Sequence, residues 1–205
     1  AVVDTTTSSV WPTNYSGYKL VILLGPNATF STSQLTALED FVNDGGRLVV
    51  SGDYEYSLFG AMTVNPHVNT LTSGLGVDIT INSTIVDNWL NIFTGTCEST
   101  TAINSDTLMD GVSDLWMIAS NSLTLGGDAV SLAEYGSDTI LAVDQPSSAT
   151  DSRDPYDVIV AADYDLLTDY CDGPTASEDN ITFWENLYIP DDTECDDADG
   201  DGFED

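Results

Sequence analysis

Two unbroken apolar runs stand near the start of the chain: Lys19-Leu-Val-Ile-Leu-Leu-Gly25 and Arg47-Leu-Val-Val-Ser-Gly-Asp53. Neither alternates apolar with polar residues. Each therefore predicts a strand covered on both faces, as in a parallel sheet. Between them, Ser31-Thr-Ser-Gln34 has the form of a capping box, whose hydroxyl and carboxamide satisfy the first free N–H groups of a helix. Leu35, Leu38 and Val42 then recur at helical spacing, with Ala37 and Phe41 beside them. Gly45-Gly46 supplies the stop. Strand, helix, strand is a βαβ unit, and its crossover is expected to be right-handed.

The pattern beyond this unit changes. Ala1–Thr7 has the composition of a strand and is expected to pair beside the Leu20 strand. A helix is expected from Asn65, with Pro66 in its first position. Val77–Val86 alternates and predicts a half-exposed strand, and Gly95–Gly111 reads as a loop. Three short strands follow, Leu115–Ala119, Val130–Tyr135 and Thr139–Val143, with Gly126-Gly127 and Gly136-Ser137 as turns. Val158–Ala162 predicts another buried strand. Asn180–Ile189 predicts a closing helix with Ile181, Trp184, Leu187 and Tyr188 on its apolar side, stopped by Pro190. The expected organisation is one α/β domain over residues 1–190 and an acidic tail over 191–205.

Charge narrows the partners. The 205 residues carry 35 Asp and Glu against 3 Lys and Arg, for a net charge of −32. Nucleic acid and anionic membrane surfaces are excluded as partners, because both are held by basic side chains. No apolar run is long enough to span a bilayer. The chain is 41% hydrophobic and 9% aromatic, which supports a core and separates it from disordered acidic chains. The acid is mostly Asp, a good turn, cap and Ca²⁺-ligand residue. Such a surface points to cations as partners and to a salty or extracellular setting.

The order of the elements resembles the class I glutamine amidotransferase-like family, within the flavodoxin-like folds. Four stretches carry the resemblance: Tyr18–Gly25, Leu35–Asp53, Gly111-Val112 with Leu125–Val130, and Val158–Leu187. It implies a mostly parallel, flavodoxin-like sheet flanked by helices, with added antiparallel hairpin strands. It also implies a first βα unit ahead of Ala1–Thr7, which this chain does not show. Active members of the family place a Cys on a tight strand-to-helix elbow and a His later in the chain. Gly95-Thr-Cys-Glu-Ser99 resembles such an elbow, but no buried strand precedes it and the single histidine, His67, comes earlier. A nucleophile needs its base within hydrogen-bond reach. The resemblance therefore implies the non-catalytic branch of the family, with no Cys-His-acid triad. Cys97 is expected in a disulfide, with Cys171 as the candidate partner.

The sharpest chemical motif is Asp197-Ala-Asp199-Gly-Asp201-Gly-Phe203-Glu-Asp205. Acids at positions 1, 3, 5 and 9, with Gly at 6 and the Phe203 carbonyl at 7, match a Ca²⁺ loop. The alternative is a solvated acidic linker. The segment also resembles thrombospondin type 3 calcium repeats, in which Cys interleaves as Cys195 does here. Nine of the fifteen residues from Asp191 are acidic. A second acidic group is expected at the carboxyl ends of the strands, where Asp53 and Glu55 follow one strand and Asp163 and Asp165 follow another. Ligands of open α/β sheets bind at that edge. It reads either as a cation or polyol site, or as ordinary caps and turns. Trp11 and Trp89 read as core residues or as sugar-stacking platforms.

These signals together predict a secreted or cell-surface, calcium-associated binding or assembly module of a larger protein. Its expected partners are divalent cations and other protein chains or domains, including copies of itself. Two alternatives stand beside it. One is a metal-dependent hydrolase working at the acidic edge. The other is a structural subunit of an extracellular filament or surface layer.

Overall fold

The computed structural model describes residues 11–54, 64–88, 90–144, 158–168, 171 and 179–187. The acidic tail, Glu55, Trp89 and the expected Ala1–Thr7 strand lie outside these residues. The βαβ unit forms as the sequence predicts. Strand β1 (Leu20–Leu24) leads through helix α1 (Thr32–Asn43) to β2 (Arg47–Ser51), and β1 and β2 pair in parallel. Both arms of the capping box at Ser31 and Gln34 are made. All five residues of β2 are buried, which is why the run never alternates.

Helix α2 (Val64–Leu75) starts two residues earlier than Pro66 would set it, with Val64, Val68, Leu71 and Leu75 buried. Strand β3 (Ile79–Ile85) follows. Residues 95–111, expected as a loop, hold two short strands, β4 (Glu98–Thr100) and β5 (Ala102–Ile103), and a 3₁₀ turn at Thr107–Met109. The four-residue helix Asn91–Thr94, here α3, precedes them. Strand β6 (Leu115–Met117) pairs with β4 in a small separate sheet. An unforeseen strand, β7 (Asn121–Leu125), comes next. The hairpin β8 (Val130–Tyr135) and β9 (Asp138–Asp144) then leads on to β10 (Val158–Ala161). A 3₁₀ turn at Tyr164–Leu167 and helix α4 (Asp179–Asn186) close the described chain.

The main sheet has eight strands in the order β1-β2-β10-β9-β7-β3, with β8 paired to β9 and β5 to β8. Only β1, β2 and β10 run in parallel; β9, β8, β7, β5 and β3 pair antiparallel. This corrects the expected mostly parallel sheet to a mixed one. The physical reason lies in the connections. Strands β8 and β9 are joined by a two-residue turn, which can only reverse the chain, whereas parallel neighbours need a crossover. Strand β9 serves three partners. Leu141 faces Ala161 of β10 and Ala133 of β8, while Thr139 faces Leu123 of β7 and Glu134 of β8. One edge of β9 thus carries β10 and then β7, and the sheet curls at that hand-over.

The closing helix also departs from its expected face. Asn180, Phe183 and Leu187 are buried, and Ile181 is exposed. Arg47, at the start of β2, fixes the far end of α4. Its Nη1 donates to the carbonyls of Leu187 at 3.0 Å and Asn186 at 3.3 Å. A guanidinium there meets the negative end of the helix dipole and the carbonyls that lack helical partners.

Candidate functional site

The carboxyl ends of β2 and β10 lie side by side, joined by a bond from the Gly52 amide to the Ala161 carbonyl at 2.8 Å. Gly52 has no room for a side chain. A Cβ there would stand 2.5 Å from Asn65 Oδ1, 2.6 Å from Ile81 Cδ1 and 3.0 Å from the Ala162 carbonyl. That close passage delivers Asp53 into a buried crevice. Two carboxamides grip its backbone. Asn65 Oδ1 accepts the Asp53 amide at 3.0 Å, and Asn121 Nδ2 donates to the Asp53 carbonyl at 3.2 Å. The Asp53 carboxylate accepts the Tyr54 amide at 2.8 Å.

From β10, Asp163 caps the 3₁₀ turn by accepting the Asp165 amide at 3.2 Å, and it also accepts a backbone bond from Ile118. Asp163 is fully buried and Asp165 is 2% exposed. Thr168 Oγ1 donates to the Asp165 carboxylate at 3.4 Å. The Asp165 carbonyl accepts from Asn180 Nδ2 at 3.4 Å. The same Asn180 carboxamide accepts the Trp116 amide at 3.0 Å and donates to the Trp116 carbonyl at 3.1 Å. Helix α4, β6 and the turn after β10 are thus laced together at this crevice.

The crevice is electrostatically unbalanced. Burial pushes the Asp53 carboxyl up to about 6. Burial and then the Asp53 charge push Asp165 up to about 6. Burial, followed by the charge of Asp165, drives Asp163 well above the usual carboxylate range. Tyr164 rises to about 12, through burial and the same three carboxylates. Three buried atoms here have no hydrogen-bond partner: Asp163 Oδ2, Asn65 Nδ2 and Asn121 Oδ1.

Asp53, Asp163 and Asp165 therefore come together as their positions after two strands suggested, while Glu55 lies outside the described residues. The Asn65, Asn121 and Asn180 carboxamides were not foreseen. The available signal was weak: each is a lone Asn at the edge of an apolar segment. Among the described residues, no group of three or more His, Cys, Asp or Glu is arranged to hold a metal ion. Asp197, Asp199, Asp201, Phe203 and Asp205, the expected Ca²⁺ loop, lie outside the described residues.

A second acidic group adjoins the first through the turn between β6 and β7. Ala119 adopts φ 56°, a left-handed conformation that disfavours any side chain. Its amide donates to Asp87 Oδ2 at 2.6 Å, one residue after the Ile118 amide reaches Asp163. Successive N–H groups of this turn thus hold carboxylates of two clusters. Burial raises the Asp87 carboxyl, and the nearby Glu98 charge adds to it. Glu98 accepts from Asn91 Nδ2 at 2.8 Å and from the Tyr135 hydroxyl.

The other candidates settle into structural roles. Cys97 and Cys171 form a disulfide, so the sulfur of the elbow-like sequence is bonded to sulfur and is no nucleophile. Trp11 stacks on Phe30, with ring centroids 5.0 Å apart, and packs against the core. His67 stands within 3.5 Å of the Thr29 hydroxyl.

No family model matches the sequence, and no curated protein matches it. Solved structures do match. The fold is similar to that of the mmIFT52 N-terminal domain. The two share 15% identity at a TM-score of 0.61, over 85% of this chain and 79% of that one. The likeness to mmIFT52 corrects the expected function. The fold neighbour is a domain of an intraflagellar transport complex component, and not of a secreted or cell-surface calcium module. The expected extracellular localisation is corrected by the same finding. The physical reason is that both expectations rested on average surface acidity and on the tail. Neither is a property of the fold, which is what the comparison matches. Among the described residues, no helix is long and apolar enough to cross a membrane.

Proposed function

We propose that this chain is an assembly domain, a folded unit that holds other protein chains within a larger complex. The observation that carries this reading is the likeness to the mmIFT52 N-terminal domain, which extends over most of both chains. The mmIFT52 protein is a component of a transport complex, and an assembly role follows for this chain by analogy of fold.

The test is in-cell cross-linking in the native host, followed by isolation under mild conditions and mass spectrometry. An assembly domain gives the same one or two protein partners in near-stoichiometric amounts, with cross-links mapping to one face. Recovery as a free monomer at its native concentration, with no recurrent partner, refutes the proposal.

A further inference from the structure

Every oxygen of an ionised carboxylate is an acceptor, so three ionised carboxylates in one dry crevice have nothing to offer one another. Asp53 reaches this crevice from the end of β2, and Asp163 and Asp165 reach it from the turn after β10. Among the described residues, the other titratable groups sensing the three charges are Tyr54 and Tyr164. Both are phenols, which bear no positive charge. The remaining polar groups are neutral: Asn65 from α2, Asn121 from β7, Thr168, Asn180 from α4 and the Ile118 amide. The influences on the three carboxyls are burial, one another's charge and a few donors. The unpartnered Asp163 Oδ2 and the unpartnered far ends of the Asn65 and Asn121 carboxamides add three unsatisfied polar atoms. A proton relieves the charge and, by converting one carboxylate oxygen, supplies a donor for an unsatisfied acceptor, while the Asn65 Nδ2 donor is not served by it.

We propose that Asp53, Asp163 and Asp165 form a proton-operated clasp. Closed when the trio holds a proton and loosened when all three are ionised, it fastens the Tyr164–Leu167 turn and helix α4 to the carboxyl ends of β2 and β10. The path from clasp to helix is explicit. The Asp165 amide is held by Asp163, the Asp165 carbonyl by Asn180 of α4, and the Asn180 carboxamide by the backbone amide and carbonyl of Trp116. Trp184 of α4 adds a bond from its indole N–H to the Leu167 carbonyl at 2.6 Å. Loosening the turn therefore loosens α4 and β6.

The direction with pH follows from linkage. These carboxyls bind their proton more tightly in the folded than in the unfolded chain, so the folded state holds more protons over the window between. The closed state is at full strength near pH 4. It weakens as pH rises through about 6, where Asp53 and Asp165 ionise, and the ionisation of Asp163, raised by burial and the Asp165 charge, adds to the loss.

Hydrogen exchange of the full chain from pH 4.5 to 8, at constant ionic strength and corrected for intrinsic amide rates, tests the clasp. Protection of residues 158–168 and 179–187 is expected to fall at least about tenfold across this range, the equivalent of one pKa unit. Helix α1 and the β1–β2 pair are expected to change less. In Asp163→Asn the same peptides are expected to vary less than about threefold. If that variant does not fold, carboxyl NMR titration of the wild type decides, with at least one of the three expected to titrate above pH 6. A flat wild-type exchange profile, or titration of all three near pH 4, overturns the proposal. So does full protection at pH 8 in millimolar Ca²⁺ or Mg²⁺ that is lost on chelation, because a metal and not a proton then closes the clasp.

Discussion

Removing the Cys97–Cys171 bond is expected to cost this fold about 4 kcal/mol. The two residues are 74 positions apart, so the bond closes a long loop. In the chain-entropy account, a loop of that length removes about 15 cal/mol/K from the unfolded ensemble, or about 4.5 kcal/mol at 25 °C. Residual compactness of the unfolded chain lowers this toward about 3 kcal/mol. The loss is a large share of the ~5–15 kcal/mol that stabilises an ordinary domain. The bond also has a local role. It ties the segment after α3 to Cys171, a few residues past the 3₁₀ turn that carries Asp165. The assay is urea unfolding by tryptophan fluorescence, comparing Cys195→Ser with the same chain carrying Cys97→Ala and Cys171→Ala. Cys195→Ser in both chains prevents thiol exchange. The midpoint is expected to fall and the slope to stay level or rise, because the freed unfolded chain exposes more surface. Under non-reducing mass spectrometry, the Cys195→Ser chain is expected to show no alkylatable thiol. A loss below about 1 kcal/mol, with the bond verified as formed, refutes the loop argument.

Other substitutions probe separate joints of the fold. Arg47→Met keeps the stem but drops the bonds to the Asn186 and Leu187 carbonyls, and is expected to lower stability by about 2–3 kcal/mol in thermal or urea unfolding. Gly52→Ala forces a methyl against Asn65, Ile81 and the Ala162 backbone; a loss of about 1–3 kcal/mol is expected, with a shift of the Asp53 carboxyl resonance. Asn69→Ala removes two bonds to the Ile81 backbone, at 2.7 and 2.9 Å, on the edge of β3 opposite β7. A loss of about 1–2 kcal/mol is expected, with faster aggregation by light scattering, because a paired edge becomes an open one. Ala119→Val places a branched side chain at φ 56° in a fully buried position, and is expected to cost more than about 2 kcal/mol.

The candidate site was legible in part. An Asp directly after a buried apolar run must stand at the strand's end, so Asp53, Asp163 and Asp165 were placed at one edge before the topology was known. The sequence said nothing of their coupling, because that depends on β10 adding beside β2, more than 100 residues away in the chain. The carboxamides that hold Asp53 and Asp165 were invisible for the same reason. The face of α4 was misread for a related one. Asn180 looks like a solvent-facing residue, and only its docking onto Trp116 makes it a buried one.

Local rules decided the βαβ start of this protein. Continuous apolar runs, a capping box and a glycine stop act over a few residues, and β1, α1 and β2 follow from them without help from the rest of the chain. Net charge likewise follows from composition. The tertiary structure alone decided the mixed sheet, the curl at β9, the left-handed turn at Ala119 and the meeting of three carboxylates. Each is a long-range event, in which a strand's partner is chosen by competition among many apolar segments of similar strength. A buried acid takes its chemistry from neighbours that adjacent sequence does not name.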